Sequence, residues 1–395
     1  MPLSKTPRAW QTLALEKWTA CGSRGICEVV TGGGKTVFAE MCIDRYLRDV
    51  PDGQVAVVVP TLSLLDQWFV GLQDDLGLSS DLISTYSGEG CPKQPSTVNV
   101  LVLNTARRWA PEISLARPTF LVVDECHRAG SAVNSKVLDG QYSAALGLSA
   151  TPYRQDGGLE ARLVPALGPV FYEYGYNEAA RDGVIASFDL VNVEIALSES
   201  EKLNHERISR RIAAELGRRS GADEGRVRRL ALDRAAVVAQ ARMRIPVAVK
   251  VVDAHRGERA IVFHERVEAA EEIYRLLRDR GHMATIYHSG LDTGVRRDNL
   301  RQYRRGVFDV LVTCRALDEG MDVPETAVAV IASSTASDRQ RIQRLGRALR
   351  QSRRKPKAVI ITLFATEQER SRLEAEEQHL VEAESVIWQR AQMAE

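Results

Sequence analysis

No stretch of the chain holds the roughly 20 consecutive apolar residues that a bilayer-crossing helix needs, and the opening MPLSKTPRAWQ lacks the apolar core of a signal peptide. These absences argue against a membrane partner and lead us to expect a cytoplasmic protein. Cysteine is sparse: Cys21, Cys27, Cys42, Cys91, Cys126 and Cys314 are scattered with no CxxC pair. That pattern speaks against a disulfide framework or a zinc site and for buried thiols. Neither sign of charge prevails. A net charge of +1 excludes coating of nucleic acid by bulk attraction, so any basic track has to be local.

What is present is ordinary for a folded chain with sizeable cores: 395 residues, 44% hydrophobic and 27% charged, enough for two or three domains. Short β-branched and aliphatic runs recur between helical patterns: ICEVV (26–30), VAVVV (55–59), VNVLVL (98–103) and FLVVD (120–124). Strands apolar on both faces are the mark of a parallel sheet with crossover helices. The pattern returns in RAIVF (259–263), ATIYH (284–288), DVLVT (309–313), VAVIAS (328–333) and AVIITLF (358–364), around helix-like VEAAEEIYRLLRDRG (267–281). The expectation is therefore an α/β chain of two tandem parallel-sheet lobes, 1–190 and 246–365. Between them lies an Arg-rich helical insert over 198–245, and a charged helix over 366–395 follows.

Two segments carry chemistry. VVTGGGKTVFAE runs from a strand through Thr31, Gly32, Gly33, Gly34, Lys35 and Thr36 into an apolar helix. Glycines let backbone N–H groups turn toward a phosphate chain and the helix start adds its positive end. Lys35 would then reach the β and γ phosphates and Thr36 would ligate magnesium. Val29 stands where the strict GxxxxGK[ST] pattern has its first glycine. In Leu121-Val122-Val123-Asp124-Glu125-Cys126-His127 an apolar strand ends in two adjacent acids. Mg·ATP needs one carboxylate for the metal, assigned to Asp124, and one to polarise the attacking water, assigned to Glu125.

With DECH at 124–127, SAT at 149–151 and QRLGRALR at 343–350 in that order, the chain resembles the superfamily 2 helicases of DExH type. VVVPTLSLLDQW (57–68), LVLNTARR (101–108) and DVLVTCRALDEGMDVPE (309–325) look like further motifs of that family. GLSATPYRQDG, followed by ARDGVIASF, is closest in flavour to the XPB-like, RadD-like and restriction-enzyme motors. The resemblance implies two RecA-like lobes, an ATP-binding lobe over 1–190 and a helicase C-terminal lobe over 246–365, that clamp ATP and Mg2+.

It also implies roles. Arg8 and Gln11, in an Arg-Ala-Trp-Gln element with Trp10 where relatives have tyrosine, would read adenine, since an amide pairs both a donor and an acceptor. Arg347 and Arg350 would act as arginine fingers with Gln343 one turn earlier, and Gly320 and Asp322 would lie on the ATP side. His127, Ser149 and Thr151 would couple hydrolysis to movement. Thr61, Thr105, Arg107, Ser289, Gly290 and Thr313 would touch phosphates of the tracked strand, contacts that carry little sequence information. In the insert, Ile208, Ile212 and Leu216 form one helical stripe and Arg207, Arg211 and Arg218 a basic one beside it. A second helix from about 226 aligns Val227, Leu230, Val238 and Ala241, with Arg234 inside that apolar stripe. Eleven arginines against four acids between 207 and 244 suggest a grip on DNA.

No wedge domain, damage-recognition module, nuclease motif or zinc-binding tail is recognisable. The implied activity is that of an ATP-dependent DNA helicase or translocase moving 3′ to 5′. The alternative is a nucleic-acid-stimulated ATPase switch that recruits a protein effector, and RNA is the alternative substrate.

Overall fold

The computed structural model describes residues 4–30, 32–154, 156–184, 188–218, 223–314, 326–333, 358–377 and 383–391. Two compact units divide the chain near residue 186.

The first unit is built on seven parallel strands in the order β3-β4-β2-β5-β6-β1-β7. They are β1 (Arg24–Val29), β2 (Gln54–Val59), β3 (Ile83–Tyr86), β4 (Val98–Val102), β5 (Thr119–Asp124), β6 (Tyr142–Ser149) and β7 (Val170–Tyr174). Helices α1 (Ala9–Ala20), α2 (Lys35–Asp49), α3 (Leu62–Asp74) and α4 (Leu103–Ser114) cover the faces, and short α5 (Val164–Leu167) and α6 (Tyr176–Arg181) follow. Successive side chains of a strand point to opposite faces, and both faces are dry here. On one, Val55, Val57, Val59 and Val122 pack with Phe38 and Ile43 of α2 and Trp68 of α3. On the other, Ala56, Val58, Leu121 and Val123 pack with Ala106 and Ile113 of α4. Burying each large apolar side chain contributes about 1.5–3 kcal/mol relative to exposure, so the central strands cannot slip by one residue without exchanging the two cores.

The second unit repeats the plan with strands in the order β10-β11-β9-β12-β13-β8-β14, again all parallel. These are β8 (Phe188–Glu194), β9 (Ala260–Phe263), β10 (Ala284–Tyr287), β11 (Val310–Thr313), β12 (Val328–Ile331), β13 (Ala358–Phe364) and β14 (Ala383–Arg390). Its helices are α7 (Glu199–Leu216), α8 (Glu224–Ala239), α9 (Arg244–Ala254), α10 (Val267–Asp279), α11 (Thr293–Arg304) and α12 (Glu367–Glu377).

Two boundaries differ from the sequence reading. Residues 188–190, placed at the end of the first lobe, begin β8, whose Phe188 and Leu190 are buried between β13 and β14 in the second sheet. The tail from 366 is not one helix. Its Ser385-Val386-Ile387-Trp388 stretch is rich in strand-forming residues and continues the sheet on β8. Trp388 meets Phe364 edge-on at 5.4 Å and lies under the Arg370 guanidinium.

The insert is a helical hairpin of the second unit. Ser198 caps α7, taking the Glu201 N–H at 3.3 Å while Glu201 accepts from the Ser198 N–H at 2.8 Å. Ile208, Ile212 and Leu230 form its small core, with Val227, Ala231 and Val237 against it. Leu216, expected in the same stripe, is 59% exposed. Glu215 is buried beside it instead and binds both Arg218, at 2.8 Å, and Arg226, at 3.3 Å. The hairpin is rooted through Arg244, which is fully buried. Arg244 donates to the carbonyls of Val238, Ala332 and Leu363 at 2.8 Å each and pairs with Glu369 of α12 at 2.7 Å.

Candidate active site

Parallel register brings three strand ends level in the first unit. Glu28 of β1 lies opposite Ser149 of β6, and Asp124 of β5 lies opposite Leu148. The loop after β1, Asp124-Glu125 after β5 and Ser149-Ala150-Thr151 after β6 therefore gather at the carboxyl edge of the sheet, the edge where open α/β sheets bind ligands.

The loop needs its glycines. Gly32 (φ 79°) and Gly34 (φ 101°) adopt left-handed backbone, and Gly34 is the residue from which α2 begins. A Cβ on Gly33 would lie 2.7 Å from Val29 Cγ1 and 2.9 Å from the Val30 carbonyl. The loop is held from behind by the segment at the start of α1. Arg8 and Trp10 donate to the Gly33 carbonyl at 3.0 and 3.2 Å, and Gln11 Nε2 donates to the Gly34 carbonyl at 2.9 Å. Gln11 Oε1 accepts from the Arg8 N–H at 2.7 Å, so both ends of the amide expected to read adenine are engaged within the chain. Trp10 is stacked on Tyr174 at 4.8 Å and next to Tyr172 at 6.1 Å.

Asp124 is buried and accepts from Trp68 Nε1 at 3.0 Å and from the Glu125 N–H at 2.9 Å. Burial, then the neighbouring Glu125, pushes its carboxyl above the ordinary range, against the pull of Lys35. Glu125 stands at φ 49°, a left-handed conformation that costs a non-glycine residue roughly 1–2 kcal/mol and is typical of functional turns. Its carboxylate meets Lys35 Nζ at 3.2 Å and faces His127 Nδ1 at 3.5 Å. The same His127 nitrogen lies 3.0 Å from Ser149 Oγ, which accepts from the Thr151 N–H at 3.0 Å. Burial lowers the His127 pKa, so the ring is neutral near pH 7 and bonds as a neutral imidazole.

The structure thus brings Gly32, Gly33, Gly34, Lys35, Thr36, Asp124, Glu125, His127, Ser149 and Thr151 to one edge, with Arg8 and Gln11 behind the loop. Thr31, Gly320, Asp322, Gln343, Arg347 and Arg350 lie outside the described residues. Two contributors were not singled out from sequence. Trp68 fixes Asp124, and Arg154, clamped by Asp156 at 2.7 Å, donates to the His127 carbonyl. Both stand inside stretches whose motif flavour was legible, VVVPTLSLLDQW and GLSATPYRQDG.

The expected strand contacts are dispersed. Thr61 caps α3, accepting from the Leu64 N–H at 3.5 Å. Thr105 lies in the first turn of α4, and Arg107 is half-buried there, bonded to Asn104 at 3.0 Å. Ser289 and Gly290 follow β10, exposed, with the Gly290 N–H on His288 Nδ1. Thr313, the last residue of β11, is fully buried with its hydroxyl lacking a hydrogen-bond partner among the described residues. In the hairpin Arg207 bonds Asn204 at 2.9 Å, Arg211 is exposed and Arg218 is tied to Glu215. Among the described residues no helix is long and apolar enough to cross a membrane and no cluster of His, Cys, Asp and Glu has the form of a metal site.

Residues 4–154 match the family model of the type III restriction enzyme res subunit, and residues 243–352 match that of the helicase conserved C-terminal domain. The chain is 27% identical over 367 residues to a DNA 3'-5' translocase XPB2 of Sulfurisphaera tokodaii, an alignment covering 87% of this chain and 78% of that one. It is 26% identical over 349 residues to a DNA 3'-5' helicase XPB of Mycobacterium tuberculosis, covering 87% of this chain but only 58% of the relative. Among solved structures, Dbp5 of S. cerevisiae bound to RNA and ADP BeF3 superposes with a TM-score of 0.65 at 16% identity, over 98% of this chain and 90% of that one. The Hef helicase domain of Pyrococcus furiosus does so at 0.55 and 19%, over 95% and 99%. At such identities these two likenesses speak for the fold alone.

Proposed function

We propose, for a chain that belongs to the superfamily 2 helicases and to their XPB-like and restriction-enzyme motor branch, that it is an ATP-driven motor moving 3′ to 5′ along DNA. The observation that carries this reading is the convergence of Lys35, Asp124, Glu125, His127 and Ser149 on one sheet edge, with Lys35 already bonded to Glu125.

The start of α2 offers N–H groups and a helix dipole to a polyphosphate, and Lys35 adds a mobile cation. In the structure that cation neutralises Glu125. A γ-phosphate would compete for Lys35 and release Glu125 to orient the attacking water, so the catalytic carboxylate is freed only when substrate is present. Two adjacent carboxylates facing one lysine, with Asp124 pushed up by burial and by Glu125, suit a site that takes a further divalent cation. Asp124 and Thr36 would hold that magnesium, which when bound draws charge from the phosphate oxygens. Arg347 and Arg350 are assigned to the charge that develops on the transferred phosphoryl group, with Gly320, Asp322 and Gln343 on the ATP side. His127 and Ser149, bonded to each other and one bond from Glu125, are assigned to coupling. Reading of adenine by Gln11 requires its amide to exchange a partner within the loop for the base.

On the DNA side we assign phosphate contacts to Thr61, Thr105, Arg107, Ser289 and Gly290, and a local grip to the hairpin. Thr313 would join them only on becoming exposed. The test is ATPase rate with single-stranded, duplex and forked DNA and with RNA in parallel, beside displacement of a triplex-forming strand by the moving protein. DNA-stimulated turnover with triplex displacement is expected. Stimulation by RNA above DNA would overturn the substrate, and stimulation without displacement would overturn the motor in favour of a switch.

A further inference from the structure

Arg234 is the residue that breaks the apolar stripe of α8. It sits one helical turn from both Leu230 and Val238, each buried, where a leucine would complete the packing of the hairpin. A cavity of about 120 Å³ occupies that place, between α7, α8 and α12 and wholly within the second unit. His205, Arg234, Thr366, Gln368, Glu369 and Arg372 supply its polar lining. This is room enough for a small tetrahedral ion.

The charge in the cavity is one-sided. Among the described residues Arg234 has one hydrogen bond, a long one of 3.5 Å to Ser209 Oγ, and no carboxylate at ion-pair distance. Glu369, the carboxylate in the lining, is spent: Arg244 takes its oxygens at 2.7 and 2.9 Å and the Ala365 N–H bonds one of them at 2.7 Å. His205 Nε2 is buried with no hydrogen-bond partner among the described residues. Burial and the Arg234 charge lower the His205 pKa, against the weaker pull of Glu206 and Glu369, as befits a ring beside an uncompensated guanidinium. A guanidinium and an imidazole lining one small polar space make up the donor half of an oxyanion site, and an arginine fork fits a phosphate with two parallel bonds.

We propose that this cavity binds a small free oxyanion of the phosphate class, held by Arg234 of α8 and His205 of α7. The site is separate from the ATP-binding loop, so it stands or falls independently of the motor reading. Occupancy ties α7 to α8 in the hairpin assigned to grip DNA, and inorganic phosphate, the product of ATP hydrolysis, has the required size and charge.

The full-length chain is titrated calorimetrically with inorganic phosphate against chloride at constant ionic strength. Lys35→Ala serves as the background, to remove phosphate binding at the ATP loop. Saturable binding is expected to survive Lys35→Ala and to weaken roughly tenfold or more in His205→Gln. Arg234→Leu, which fills the stripe and should fold at least as stably as wild type, is expected to abolish it while leaving basal ATPase unchanged. Phosphate binding that disappears with Lys35→Ala alone, or that persists in the Lys35→Ala/Arg234→Leu chain, would overturn the proposal.

Discussion

Glu125 combines three demands in one side chain: a strained backbone, a lysine partner and a histidine neighbour. Glu125→Gln keeps the shape and the left-handed turn but removes the charge that orients water. Turnover should fall by roughly 10²-fold or more while ATP still binds, because general-base assistance is of that size. Steady-state ATPase within twofold or threefold of wild type would remove Glu125 from the mechanism. His264 makes a different prediction. It is buried after β9, accepts from the Arg266 N–H at 3.1 Å, and burial, then Arg244, lowers its pKa to about 4. A depressed histidine leaves the folded state binding fewer protons than the unfolded one. Stability from this group is thus complete above about pH 6.5 and is lost as pH falls toward about 4, by up to about 3 kcal/mol. In His264→Asn the acid side of the urea-midpoint profile should be shallower over that window, and an unchanged profile would assign the loss to other groups.

Among the elements, the hairpin root concentrates most polar energy in least space. Arg244 is a fully buried cation whose donors all find carbonyls or a carboxylate, on α8, β12, β13 and α12 together. Removing one partner of such a pair leaves the other charge buried, at a cost of about 3–5 kcal/mol. Arg244→Met should therefore lower the urea midpoint of the second unit by that order. Ser333→Ala, which loses one buried bond of 2.9 Å to the Ala239 carbonyl, should cost only about 1 kcal/mol. Equal losses for the two variants would mean that Arg244 is replaceable by apolar packing.

For the whole molecule, charge is balanced overall and local in effect. With a net charge of +1, affinity for DNA has to come from patches, and the hairpin holds one of them. Its arginines are not equivalent. Arg218 and Arg226 are drawn to buried Glu215, whereas Arg207 and Arg211 are not tied to any carboxylate among the described residues. Replacing Arg207 and Arg211 with Gln should weaken binding to all DNA sequences alike and reduce the slope of log K against log salt by roughly two. ATP hydrolysis without DNA should be unaffected. An unchanged slope would leave the hairpin as a spacer or a docking element.

Much of this was legible before any coordinate. Apolar runs bounded by helical periods located the central strands to within a residue or two, since a strand buried on both faces leaves an unbroken hydrophobic signature. The glycines, Lys35 and the Asp124-Glu125 pair stood out because few other roles need those residues in that order, and the fold brings them to one sheet edge. What the sequence could not reveal was decided by partners far along the chain. β8 and β14 are strands because each completes the other's hydrogen bonds across 195 positions, from Phe188 to Ala383, and local periodicity does not record such pairing. Glu215 and Arg244 read as surface charges until packing supplies the opposite charge, and Arg234 reads as an error in a stripe until the cavity beside it appears. Gln11 is engaged by the loop it was expected to work beside, because helix α1 and the first glycine turn are neighbours only in the folded sheet.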